Sequence, residues 1–250
     1  PAQFSIRYID GVRKPDEGIE AFLGIRIHEV LERLYSRQLS GEFPPSLDTV
    51  LASFADIWES AWHDRIAIAN SRMKIPDYFQ LGESMLARYY YNHFPFEESV
   101  LATEERLEFS LDDSDNYHLV GILDRVDQAN GTGVVIHDYK TGKRTLTQKA
   151  ADKDEQLALY QLGWEMTRGP AESIRLVWHF LQPGFEVHSS RTPAELDRLT
   201  KNIKFRIDQI RDHVEGKKPF LPRPTQLCYW CYYWEECPAK GGSNPAMNPR

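Results

Sequence analysis

The stretch VVIHDYKTGKR, residues 134 to 144, constrains this chain more than any other. Val134, Val135 and Ile136 are β-branched and the run stops at a Thr-Gly turn, the pattern of a buried strand. Alternation places Ile136, Asp138 and Lys140 on one face and Val135, His137 and Tyr139 on the other, so an acid and an ammonium follow an apolar residue on the same side. An isolated Asp-x-Lys at a strand end is most simply a salt bridge of small energetic weight. The same pair beside a second carboxylate is the beginning of a metal site.

That second carboxylate is available. Strand patterns follow one another as LATEERLEFSL, YHLVGILDRVDQ and the 134–140 run, separated by the polar turns DDSDN and ANGTG, which is the pattern of a meander. Asp124, near the end of the second strand, can therefore meet Asp138 across neighbouring strands. Hard divalent cations such as Mg²⁺ or Mn²⁺ take oxygen ligands, which two acids and a backbone carbonyl, that of Tyr139, can supply. Lys140 on the same face could orient a water and stabilise charge developing on a phosphate. Asp127 and Glu104 fit solvated acids, or partners of Arg125 and Arg106.

Around this meander the sequence is helical. Ile19, Phe22, Leu23, Ile27, Val30, Leu31, Leu34 and Tyr35 keep a helical period, with His28 mid-helix, and predict a helix of about five turns. Residues 43–96 are helical and aromatic, punctuated by Pro44-Pro45, Pro76 and Pro95, and predict a helical insertion. After the meander come a helix around DEQLALYQLGWEM, strands at IRLVWHFL and FEVHSS, and a long helix from about Pro193 to His213. An α/β fold follows, with a mixed central sheet flanked by helices in a single domain over residues 1–250. The last ten residues, GGSNPAMNPR, fit a loose tail.

With 41% hydrophobic residues in 250, the chain can bury a sizeable core. No apolar run approaches the roughly 20 residues needed to span a bilayer, and no leader pattern opens the sequence, so a cytoplasmic protein with no membrane partner is expected. The formal charge of −7 argues against coating nucleic acid by bulk attraction, so binding would depend on local patches. Lys143, Arg144 and Lys149 beside the 134–140 strand are the candidate DNA contacts. Lys201, Lys204, Arg206 and Arg211 fit the solvated face of the last helix.

The order GIRIHEVLE, GILDRVD, HDYKTGK and QLALY resembles the RecB and AddB branch of the PD-(D/E)xK nuclease superfamily. The resemblance implies that Asp124 and Asp138 bind the catalytic metal, that Lys140 is the catalytic lysine, that His28 is a further metal ligand, and that Gln156 and Tyr160 form a Q-x-x-x-Y motif beside the site. Singly, His28 fits a core histidine and Gln156–Tyr160 a helix-surface pair. Four motifs in family order, each on the element its role requires, favour the nuclease. The resemblance further implies an exonuclease on single-stranded DNA ends, in recombination repair or CRISPR adaptation, with helicase or CRISPR adaptation proteins as partners. The alternative is a non-catalytic DNA-end-binding or scaffolding module of a helicase-nuclease complex.

The three cysteines, Cys228, Cys231 and Cys237, fall in CYWCYYWEECP. An odd count argues against a disulfide framework, and the spacing points to a metal or cluster site. Iron-sulfur members of the family carry such a triplet with a fourth, distant cysteine, which here would stand just before Pro1. A 4Fe-4S cluster is implied, with Zn²⁺ as the alternative occupant.

Overall fold

A computed structural model describes residues 1–14, 17–69, 72–114, 116–242 and 244–245. Of the expected tail, residues 243 and 246–250 lie outside these described residues. In chain order a short helix α1 (Ala2–Phe4) runs into a π-helical turn (Ser5–Ile9), followed by strand β1 (Glu17–Gly18), helices α2 (Ile19–Leu39) and α3 (Leu47–Ala61), strand β2 (Ile66–Ala67) and helix α4 (Ile75–His93). Strands β3 (Val100–Ser110), β4 (His118–Gln128) and β5 (Val134–Lys140) form the expected meander. Helices α5 (Gln148–Ala151) and α6 (Glu155–Arg168), strands β6 (Ile174–Phe180) and β7 (Phe185–Ser189), helix α7 (Pro193–Val214) and a 3₁₀ turn (Gln226–Trp230) complete the order.

The five long strands make one mixed sheet, β3-β4-β5-β6-β7, in which only β5 and β6 run parallel. A parallel pair cannot be closed by a tight turn, and α5 with α6 supplies the crossover. Residues Val134 to Tyr139 are all buried because β5 is covered on both sides. Tyr139 enters a core built by α2, α3 and α4, whereas Ile136 enters a second core with Leu157 of α6, Trp178 of β6 and Leu199 of α7.

The first core explains the aromatic segment. Phe54, Trp58, Tyr78, Tyr89 and Tyr90 pack on Phe22, Leu23 and Leu31 of α2, so most of these rings serve packing. Each such buried side chain is worth roughly 1.5–3 kcal/mol relative to exposure. Phe43 and Tyr91 remain exposed. Gly82 of α4 lies at a close approach to α3 and α2, since a Cβ there would lie 2.4 Å from Phe54 Cζ and 2.9 Å from Leu23 Cδ1.

Behind β5 the first core is polar. Arg125, only 1% exposed, donates to Tyr89 Oη at 2.9 Å, lies 3.1 Å from Asp127 Oδ2, and stacks 4.0 Å over the Tyr35 ring. Asp127 is therefore a buried partner of Arg125 rather than a solvated acid. His137 stands between Asp127 Oδ2 at 3.0 Å and His179 Nε2 at 2.8 Å. Burial and the neighbouring Arg125 hold His137 well below its usual range, and burial pushes His179 down to about 4 against the pull of Glu186.

On helix α7 Lys201 and Arg206 keep the exposure expected of a solvated face, while Lys204 and Arg211 are partly covered. Lys204 pairs with Asp112 at 2.9 Å and Arg211 with Asp208 at 3.2 Å, both cations lying over the Tyr117 ring, while Arg206 pairs with Glu155 at the start of α6. The ion pairs of Lys204 and Arg206 tie α7 to the segment after β3 and to α6. The two ends of the chain also meet, through a Phe4–Phe220 stack at 5.6 Å and a Lys14–Glu236 ion pair. No described helix is long and apolar enough to cross a membrane.

The crowding at Gly82 makes a measurable prediction. Gly82→Ala is expected to lower stability by about 1–3 kcal/mol through overpacking, outweighing the helix-propensity gain of roughly 1 kcal/mol. Gly142→Ala, at a position with nothing within 4 Å, is expected to stay within about 0.5 kcal/mol in the same thermal-denaturation series.

Candidate metal centre

The site begins where two strands part. The β4–β5 ladder runs from Gln128↔Val134 to Arg125↔His137, and the next opposed residues are Asp124 and Asp138. There the Tyr139 amide donates to Asp124 Oδ2 at 2.7 Å, a side chain standing in for the missing main-chain acceptor. This bond fixes the Asp124 carboxylate at the opening. Opposite it on β3, between the pairs Thr103↔Arg125 and Glu105↔Leu123, Glu104 adopts a left-handed backbone with φ 47°. For a non-glycine residue that conformation is strained, and such strain is held where surrounding structure imposes it.

Helix α2 supplies the third side. His28 Nε2 lies 2.9 Å from the Tyr139 carbonyl oxygen, and Nδ1 lies 3.5 Å from Asp124 Oδ1. A ring nitrogen, a Glu104 oxygen and an Asp124 oxygen all fall within 4.8 Å of one another. Gly24, one turn earlier, admits the turn after β5, since a Cβ there would lie 3.0 Å from Thr141 Oγ1.

Helix α6 supplies the fourth. Asp154 caps its N-terminus, accepting from the amides of Gln156 and Leu157, and the helical period then brings Gln156 and Tyr160 onto one face. Gln156 donates through Nε2 to Asp138 Oδ1 and to Tyr160 Oη, each at 2.9 Å, and accepts from Lys140 Nζ at 2.9 Å. Lys140 Nζ also lies 2.6 Å from Asp138 Oδ2, an ion pair whose alignment falls short of a hydrogen bond.

The electrostatics of this arrangement favour a cation. Burial, reinforced by Asp124 and opposed by Lys140, raises Asp138 to about 6. Burial and Asp124 likewise raise Glu104. Burial alone would lower His28, but its contacts with Asp124 outweigh that and hold it above its usual range. Tyr160 is pushed up to about 12 by burial, so it remains a neutral phenol. Glu104 and Asp124 converge on an imidazole, with the Tyr139 carbonyl and the Asp138 carboxylate beside them, a donor set that fits a hard or borderline divalent ion.

His28, Asp124, Asp138, Tyr139, Lys140, Gln156 and Tyr160 thus come together from four elements. Glu104 joins them without having been anticipated. It does not pair with Arg106, whose partner is Glu108. Lys143, Arg144 and Lys149 are exposed along the connection to α5, and Lys143 lines a hollow with Thr141, Gln182 and Trp230. Cys228, Cys231 and Cys237 line a separate cavity together with Pro1, Ala2 and Ile6. The Thr225 amide donates to Cys228 Sγ at 3.3 Å, and the Asn244 carboxamide donates to the carbonyls of Cys228, Tyr229 and Cys231.

A pH experiment tests the crowding of acids. Because Asp138 binds its proton more tightly in the fold than in the unfolded chain, where it titrates near 3.8, its own contribution to stability without divalent metal falls as pH rises from about 4 through about 6, and the difference from an Asn variant isolates it from the opposing buried histidines. Asp138→Asn is expected to match the wild type near pH 4 and to exceed it by about 1–3 kcal/mol above pH 7. Denaturation in chelator across this range measures the gap.

A family model described as the PD-(D/E)XK nuclease superfamily matches residues 1–238. No curated protein matches the sequence. Among solved structures the chain is similar to the Eubacterium rectale protein named "Putative exonuclease", at 10% identity over 92% of this chain and 85% of that one, with a TM-score of 0.49. It is also similar to SSO0001, at 14% identity over 94% of this chain and 92% of that one, with a TM-score of 0.37. The match of the family model over nearly the whole length carries the assignment: this chain belongs to the PD-(D/E)XK nuclease superfamily.

Proposed function

We propose that the protein is a metal-dependent deoxyribonuclease of the RecB- and AddB-like branch, acting as an exonuclease on single-stranded DNA ends. The observation that carries this reading is the opposition of Asp124 and Asp138 where β4 and β5 part, with Lys140 Nζ 2.6 Å from Asp138. Asp124, Asp138, His28 and the Tyr139 carbonyl would hold Mg²⁺ or Mn²⁺, and Glu104 is added to that set by its position. The ion supplies charge neutralisation of the scissile phosphate and acidity for an attacking water. Lys140, held between Asp138 and Gln156, orients that water and stabilises negative charge on the phosphate. Gln156 fixes Asp138 and is itself steadied by Tyr160.

Lys143, Arg144 and Lys149 would follow the DNA backbone away from the site, offsetting the net negative charge of the chain locally. Trp230, 52% exposed and facing the same hollow as Lys143, supports single-stranded substrates, because an exposed indole stacks on unpaired bases. The cysteine triplet would hold a 4Fe-4S cluster, with a fourth thiolate from the residue preceding Pro1. The meeting of Pro1, Ala2 and the three cysteines around one cavity supports that role. Recombination repair or CRISPR adaptation, alongside a helicase or adaptation proteins, is the setting the resemblance implies.

End-labelled single- and double-stranded DNA with Mg²⁺ or Mn²⁺ tests the activity. Asp124→Asn, Asp138→Asn and Lys140→Ala are expected each to lower cleavage at least about 100-fold while remaining folded. Glu104→Gln should weaken Mn²⁺ binding about 10-fold in a calorimetric titration. Wild-type rates in the first three variants would make the constellation structural.

The cluster is tested by colour. Protein that includes the residue before Pro1, purified without oxygen, is expected to absorb broadly near roughly 400 nm. Cys231→Ser should bleach it and lower thermal stability, because the two chain ends lose their common anchor. A colourless protein with stoichiometric zinc would assign a zinc staple in its place.

A further inference from the structure

We propose that His93, His179 and Glu186 form a second metal site, of the zinc type, on the face of the sheet opposite Asp138. His93 ends α4, His179 lies on β6, and Glu186 is its register partner on β7. Glu186 Oε1 is 3.0 Å from His179 Nδ1 and 3.3 Å from His93 Nε2, and the three ligand atoms lie within 4.8 Å of one another. Tetrahedral Zn²⁺ with bonds of about 2.0–2.2 Å separates neighbouring ligands by about 3.3–3.6 Å, so a small outward relaxation of these side chains admits the ion.

The far side of each imidazole is arranged as metal ligands require. A ligating histidine directs its other ring nitrogen at an acceptor that fixes its orientation. His93 Nδ1 lies 3.3 Å from Glu98 Oε1. His179 Nε2 lies 2.8 Å from His137 Nδ1, and His137 Nε2 lies 3.0 Å from Asp127 Oδ2. The resulting row, Asp127–His137–His179–Glu186, contains three contacts that each require a proton, whereas two neutral imidazoles carry only two. A cation between His179 and Glu186 removes one of those requirements. His179 then donates through Nε2 to His137, and His137 donates through Nε2 to Asp127, with no extra positive charge beside the buried Arg125.

The chemistry selects the ion. Two imidazoles and one carboxylate suit Zn²⁺ and neighbouring first-row ions, in contrast to the oxygen-rich set around Asp124, which suits Mg²⁺ or Mn²⁺. A cavity lined by Tyr89, Asn92, Phe180 and Gly184 adjoins the three ligands and leaves room for a water as fourth ligand. Such an ion ties the end of α4 to the β6–β7 edge. It also backs β5, because Tyr89 stacks on His93 at 4.1 Å and reaches Tyr139 through its hydroxyl.

Equilibrium dialysis of the full chain against Zn²⁺ in excess Mg²⁺, followed by metal analysis, tests the site. Wild-type protein is expected to hold one more zinc per chain than folded Glu186→Gln or His93→Gln; any zinc on the cysteines is common to all three and cancels. Nitrogen-15 spectra of the imidazoles in wild-type protein need no variant. On zinc addition, His179 Nδ1 and His93 Nε2 should move to the shifts of coordinated nitrogen, with protons retained at His179 Nε2 and His93 Nδ1. Equal zinc contents in the three proteins, or imidazole spectra that zinc leaves unchanged, would overturn the proposal and make the cluster an ion-pair network.

Discussion

A single hydrogen bond, from the Tyr139 amide to Asp124 Oδ2, organises this molecule. A buried amide left without an acceptor carries a penalty of about 1–3 kcal/mol, so β5 cannot leave its ladder with β4 unless something replaces the lost carbonyl. Asp124 replaces it, and in doing so is fixed at the mouth of the opening. The same short segment then offers the Tyr139 carbonyl to His28 and the Asp138 carboxylate to Lys140 and Gln156. One local substitution of side chain for main chain thus sets the positions of candidate site residues drawn from α2, β4, β5 and α6.

The two faces of β5 resolve their charges differently. On the Asp138 face, acids gather with one lysine and a half-buried histidine, and burial raises Asp138 and Glu104, with the nearby Asp124 carboxylate adding to the rise. That face gains from an added cation. On the other face Arg125 already supplies the positive charge, satisfied by Asp127, Tyr89 and the Tyr35 ring. Removing one member of such a buried network is far more damaging than the worth of any single contact, which makes it a rigid backing for the strand. Motif GILDRVD therefore serves both faces at once, Asp124 toward the opening and Arg125 with Asp127 behind it.

Helices α2, α3 and α4 give that backing its support. Their aromatic residues are mostly consumed in packing, and Gly82 and Gly24 set how closely α4 approaches α3 and how closely α2 approaches the turn after β5. The Phe4–Phe220 stack and the cavity shared by Pro1 and the cysteines bring the N-terminal segment against the residues that follow α7.

Much of this was legible in the linear sequence. Period-2 and period-3.6 patterns located the meander and the flanking helices because burial on a strand or helix face leaves a local, repeating trace. Asp124, Asp138 and Lys140 were readable as neighbours because a meander fixes which residues of adjacent strands face one another. Glu104 was not readable, since its place depends on a left-handed backbone residue in β3 that composition does not announce. Nor were the depth at which the Arg125–Asp127 pair is buried, the ties of Lys204 and Arg206 to neighbouring elements, or the gathering of His93, His179 and Glu186. Periodicity reports whether a residue is covered; which distant charge covers it depends on how helices and strands separated by tens of residues are laid together, and that only the tertiary structure decides.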